Sequence, residues 1–90
     1  MGIKINIPSY LQPFTNDTAI IEVNGSTLGE CLHGLVAQFP EMSDKLFTKD
    51  SQLHDYVSIY LDGEFIYADE LSKPVKDGDE FHLFYILGGG

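Results

Sequence analysis

Gly88, Gly89 and Gly90 close the chain, directly after the apolar run Phe81-His82-Leu83-Phe84-Tyr85-Ile86-Leu87. The group there that can do chemistry is the carboxylate of Gly90, carried on a strip without side chains. Glycine has nothing to bury and loses more backbone freedom on ordering than any other residue, so such a run adds little to a fold. It makes instead a slim strip reaching roughly 10 Å when extended, at about 3.3–3.6 Å per residue. That reach can carry a carboxylate into the active site of another protein, through a channel too narrow for a Cβ. Chain ends ordinarily fray. A frayed end, however, carries mixed polar residues after a polar loop, whereas this one leaves an apolar strand abruptly. The pattern predicts a folded body over residues 1–87 and a flexible glycine tail over 88–90, ending in the free Gly90 carboxylate.

Other side chains offer weaker chemistry. Cys31 is the single cysteine, which excludes an internal disulfide and any multi-cysteine metal or iron–sulfur site. It lies between Leu28 and Leu32 on an apolar helix stripe and reads as a buried, inert thiol. His33, His54 and His82 are too scattered for a metal site. No glycine-rich loop precedes a helix to cradle phosphate, so any nucleotide must bind a partner. No catalytic group, metal or bound cofactor is expected in this chain.

Ninety residues make a single domain, and the 43% apolar content, with six Phe and five Tyr, suits a packed core. Fourteen acidic residues against five basic ones give a formal charge of −9. Nucleic acid is excluded as a partner because no basic patch can displace its counterions. An anionic membrane is repelled for the same reason. The imbalance steers the chain towards basic protein surfaces. No apolar stretch approaches the ~20 residues that span a bilayer, and the single cysteine fits a reducing cytoplasm.

The elements that must carry the tail follow from periodicity. Ile3, Ile5 and Ile7 alternate with polar residues as a half-buried strand ended by Pro8, and residues 19–23 form a second strand. The two are close enough in sequence for an antiparallel hairpin, with residues 10–14 as a partly apolar loop and 15–17 as a turn. Thr27 and Glu30 make a capping box, after which Leu28, Leu32, Leu35, Val36 and Phe39 line one helical face until Pro40. Met42, Leu46 and Phe47 suggest one short helical turn. Val57, Ile59 and Leu61 alternate up to the turn dipeptide Asp62-Gly63. Residues 65–67 make a short edge segment, 73–79 a long turn, and 80–87 the last strand. This order is the β-grasp, or ubiquitin-like, arrangement: an α+β fold with a mixed sheet of four to five strands and one main helix on one face. The right-handed crossover rule places the strand after the helix parallel to a neighbour.

Three passages resemble the ThiS/MoaD-type ubiquitin-like sulfur carriers over nearly the whole length. They are the opening strand Ile3 to Ile7, the turn Val75-Lys76-Asp77-Gly78-Asp79-Glu80-Phe81, and the terminal glycines. Within that family the CysO branch, which supplies sulfur for cysteine assembly, is similar in Ile7 to Thr15, Ser26 to Gly29 and Leu53 to Tyr60. The resemblance implies that an E1-like enzyme adenylates the terminal carboxylate with ATP and magnesium. A sulfide or persulfide then displaces AMP, leaving a thiocarboxylate that gives sulfur to an acceptor enzyme. That acceptor is cysteine synthase-like or the large subunit of molybdopterin synthase, or it serves thiamin synthesis. Gly88 departs from the family pattern, which leaves Gly90 or a trimmed Gly89 as the reactive end. Such a carrier is a covalent co-substrate and not an enzyme. Two alternatives stand beside it: a ubiquitin-like modifier conjugated through its terminal glycine, and a β-grasp interaction module with an inert tail.

Alternation splits the last strand into two rows. Phe81, Leu83 and Tyr85 lie on one face, His82, Phe84 and Ile86 on the other. Phe81 and Leu83 are assigned to the core. Phe84 and Ile86, with Tyr60 across the sheet and Leu87 beside the tail, are then expected to form an exposed partner-docking patch. The competing arrangement has residues 41–56 folding over that row.

Overall fold

The computed structural model describes residues 2–66 and 70–85. Ile86, Leu87 and the three terminal glycines lie outside the described residues, as do Met1 and residues 67–69.

Strand β1 (Ile3–Asn6) and strand β2 (Ile20–Val23) pair antiparallel, with Ile5 opposite Ile21. Alternation buries Ile3, Ile5, Ile21 and Val23 on one side and leaves Lys4, Ile20 and Glu22 exposed on the other. Between them, Ser9–Thr15 is a 3-10 helix rather than a loop. Its apolar residues Leu11 and Phe14 are three apart, the spacing that eclipses on a three-residue turn. Leu11 enters the core and Phe14 packs against it. Asn16 and Asp17, both at positive φ, end it, where the sequence reads a turn.

Helix α1 (Leu28–Gln38) starts at Thr27, whose Oγ1 accepts the Glu30 N–H at 3.2 Å. The return bond differs from the usual box: the Glu30 carboxylate accepts from the Ser26 N–H, at 2.7 Å, and not from Thr27. The carbonyls of Lys73 and Leu71 take the N–H groups of Leu28 and Gly29 at 3.1 and 2.9 Å, satisfying two orphan donors of the helix start. Glycine at position 29 eases this approach, because a Cβ there would sit 3.3 Å from the Leu71 carbonyl oxygen and the neighbour would have to give by a few tenths of an ångström.

Helix α2 (Met42–Leu46) is the short turn expected from Met42 and Leu46, and both are buried. Strand β3 (Val57–Leu61) turns through Asp62 (φ 52°) and Gly63 (φ 82°) into strand β4 (Glu64–Ile66). Two central residues at positive φ make the primed hairpin turn that matches strand twist. Strand β5 (Glu80–Tyr85) follows the turn at 73–79.

The five strands run in the order β2-β1-β5-β3-β4, so the strand nearest the tail is central. One expectation is corrected here. The strand after the helix, β3, is antiparallel to both its neighbours, and the parallel pair is β1 with β5. The crossover from β1 to its parallel partner therefore spans most of the chain, and α1 is only one part of it.

The core fills the helix side of the sheet, where Phe81 is fully buried in one cluster with Ile3, Leu28, Leu32 and Leu35 among others. Each such side chain contributes about 1.5–3 kcal/mol of burial. Residues 41–56 add to this same side. Met42, Leu46 and Leu53 enter the core, and Phe47 stacks on His33 of α1 at 5.4 Å. They do not fold over the other face, which carries no helix among the described residues.

Candidate functional site

The uncovered face of the sheet is built by register. Ile20 lies opposite Asn6, Asn6 opposite His82, His82 opposite Tyr60 and Tyr60 opposite Phe65, a single row across all five strands. Phe84 stands one pleat further towards the tail, opposite Ser58, whose small side chain leaves the ring room. Phe65 is 52% exposed and Phe84 42%, while Tyr60 is half-buried. Their rings form one cluster: Tyr60 to Phe65 at 4.9 Å, Tyr60 to Phe84 at 6.3 Å, Phe65 to Phe84 at 5.8 Å. His82 adjoins Phe84 at 6.4 Å.

The structure thus brings together Tyr60 and Phe84 from the sequence reading and adds Phe65 and His82. Ile86, Leu87, Gly88, Gly89 and Gly90 lie outside the described residues. The signal for Phe65 was available. A two-residue turn at Asp62-Gly63 fixes Leu61 opposite Glu64 and hence Tyr60 opposite Phe65. The opposite end of the face is charged, with Lys4 opposite both Glu22 and Glu80. There Asn6 Nδ2 donates to Glu80 Oε2 at 2.6 Å. One face therefore grades from an anionic end at the start of β5 to an aromatic end where β5 meets the tail.

A second aromatic group sits at that same end. Tyr85 stacks on Tyr10 at 5.2 Å and 19°, and meets Tyr56 edge-on at 5.0 Å and 73°. Tyr56 in turn stacks on His54 at 4.6 Å. Topology explains the gathering. Parallel pairing sets the segment after β1 beside the end of β5, and antiparallel pairing sets the segment before β3 there too. Periodicity within single elements cannot reveal it. Burial, then the hydrogen bond and charge of Tyr56, push the Tyr85 phenol up to about 12.

Cys31 is fully buried, and its thiol is pushed up to about 11 by burial and then by Glu30 and Asp79. It stays protonated and unreactive near neutrality. The histidines sit apart, and among the described residues no group of three or more His, Cys, Asp or Glu could hold a metal ion. Nor is any described helix long and apolar enough to cross a membrane.

Comparison with known proteins decides the family, because the ThiS family model matches residues 5–90. The chain belongs to the ThiS family. The sulfur carrier protein CysO of Mycobacterium tuberculosis is 29% identical over 93 residues, covering all of both chains. Small archaeal modifier protein 1 of Haloferax volcanii is 32% identical over 74 residues, covering 81% of this chain and 82% of that one. Among solved structures, M. tuberculosis CysO superposes with a TM-score of 0.82 at 27% identity, over 94% of this chain and 99% of that one. The CysO of an Amycolatopsis orientalis BexX/CysO complex gives a TM-score of 0.85 at 24% identity, over 98% and 99%. The β-grasp fold is common to them all, and ThiS family membership makes this chain a ubiquitin-like protein of the sulfur-carrier and modifier class.

Proposed function

We propose that the chain is a sulfur carrier whose Gly90 carboxylate is activated by an E1-like enzyme and converted to a thiocarboxylate. The observation that carries this reading is a family match running through Gly90 itself, joined to full-length similarity to CysO carriers. A carboxylate is a poor acyl donor because oxide would have to leave. In the proposed sequence the carboxylate oxygen attacks the α-phosphorus of ATP on the partner, and pyrophosphate departs with magnesium. Sulfide then attacks the acyl carbon and AMP leaves. The resulting thiocarboxylate gives its sulfur to an acceptor enzyme, of which one serving cysteine synthesis fits the CysO likeness best. This chain's own part is to present the terminus and to dock. Its partner-binding surface is Phe84, Tyr60 and Phe65; Ile86 and Leu87, which the sequence adds to this surface, lie outside the described residues. A relative has been crystallised in complex with BexX, which supports docking of a partner protein on this fold. ATP and reduced sulfur are both cytoplasmic, and the reaction is assigned there.

A second reading, conjugation to lysines of other proteins, is favoured by the 32% identity to small archaeal modifier protein 1. The two differ in product. Intact mass spectrometry after incubation with ATP, magnesium, an E1-like adenylating enzyme and sulfide should show one oxygen replaced by sulfur at the terminus. Covalent adducts with lysines and no thiocarboxylate would select the modifier instead. Adding one residue after Gly90 should abolish activation and leave the melting temperature unchanged. Full adenylation of that extended chain, with its extension still present, would refute both readings.

A further inference from the structure

Beyond His82, strand β5 runs without a β1 partner, because the parallel pairing ends at Asn6 opposite His82. On its other side, Val57 lies opposite Tyr85 but donates its N–H to the His54 carbonyl at 3.0 Å. The ladder thus holds Tyr85, the last described residue before the tail, on the β3 side alone. Rings add to that hold. Tyr10 covers one face of the Tyr85 ring and Tyr56 abuts it edge-on. Tyr56 is backed by His54, whose Nε2 lies 3.0 Å from the Asp44 carbonyl oxygen on α2. A continuous stack therefore ties the end of β5 to the 3-10 helix on one side and to α2 on the other. Tyr10 and Tyr56 remain 47% and 38% exposed, so they add little to the core. Phe81 and Leu83 already seat the strand, at 0% and 2% exposure.

We infer that Tyr85 is a positioning residue for chemistry at the chain terminus: clamped between Tyr10 and Tyr56, it fixes the point and direction from which residues 86–90 leave the body. This rests on the sulfur-carrier reading, in which the tail must enter a partner's active site while the body is docked elsewhere. A fixed root raises the share of docked complexes whose carboxylate meets ATP. Loosening the root widens the volume over which the terminus is presented and dilutes it near the reacting phosphate. The clamp therefore governs turnover after docking and leaves the docking affinity alone.

The test uses the full chain with an E1-like adenylating enzyme, ATP and magnesium, read by pyrophosphate exchange and by direct binding. Tyr85→Ala should lower kcat about fivefold to tenfold with the Kd for the enzyme within about twofold of the unsubstituted chain. Tyr85→Phe, which keeps the stacked ring, should restore most of kcat, and Tyr56→Ala should reproduce part of the loss. In the free protein, hydrogen exchange at the Phe84 amide, opposite Ser58 on β3, should accelerate in Tyr85→Ala while Phe81 and Leu83 stay protected. An unchanged kcat, a parallel loss of kcat and affinity, or loosening of all of β5 would each overturn the clamp. If the unsubstituted chain is not adenylated, the sulfur-carrier reading fails and the inference falls with it. Hydrogen exchange then still reports whether Tyr85 is held.

Discussion

The two faces of β5 are made by six consecutive residues and serve opposite ends. On the helix side, Phe81 and Leu83 are sealed beneath α1 and hold the central strand. On the other, His82 and Phe84 stand beside Tyr60 and Phe65 with no helix above them among the described residues. The same side chain, phenylalanine, is a stability element at position 81 and a surface element three residues later. Apolar character alone does not distinguish them. Which face the helices cover does, and that was decided when residues 41–56 packed with α1 instead of across the sheet.

The comparison breaks most sharply at Phe81. Phe81→Ala leaves a cavity in the core beside its cross-strand partners Ile5 and Leu61 and should cost about 3–5 kcal/mol in chemical denaturation. For a chain of this size that is a large fraction of total stability. Phe84→Asp should behave in the reverse way. It removes an aromatic anchor from the patch and places a charge there, weakening binding to the activating enzyme by about 30-fold, or roughly 2 kcal/mol. Its effect on folding should stay near or below about 1 kcal/mol, since the ring is half in solvent already. Equal losses of folding and binding at Phe84 would erase the distinction and return that residue to the core.

Much of this contrast was legible before any coordinates. Period-two alternation separated Phe81 and Leu83 from Phe84, and the capping residues with Pro40 bounded α1 to within a residue or two. Tyr60 was reachable because β3 alternates cleanly. What escaped was information that lives between elements. The 3-10 helix hid because one apolar pair three apart, Leu11 and Phe14, with Pro13 between them, is too short a run to show a period. The Tyr10–Tyr85–Tyr56 group required knowing that β1 and β5 are parallel, and that pairing joins residues far apart in the chain. A crossover rule applied to the nearest strand after the helix chose the wrong one. The hairpin register that adds Phe65 was implicit in Asp62-Gly63, yet it needed the turn to be carried through to its cross-strand consequence.

The smallest expected effect sharpens the difference between the two faces through titration. Two groups on the covered side, Cys31 and Tyr85, are raised from about 9 and 10 to about 11 and 12, burial being the first cause in each. A group whose folded pKa is raised keeps its proton longer in the native state. Its contribution is therefore complete below the unfolded value and is lost as pH climbs through the folded one. Stability should accordingly decline between pH 9 and 11 as unfolded chains release the Cys31 proton, with the Tyr85 window one unit higher. Cys31→Ala should flatten the lower part of that decline, measured by denaturant midpoints across the alkaline range. It should leave partner binding unchanged at neutral pH, because Cys31 lies on the buried side of α1, away from the Phe84 face. A Cys31→Ala chain whose alkaline slope matched the original would show that the thiol titrates alike in both states, and that burial on this side does not extend to position 31.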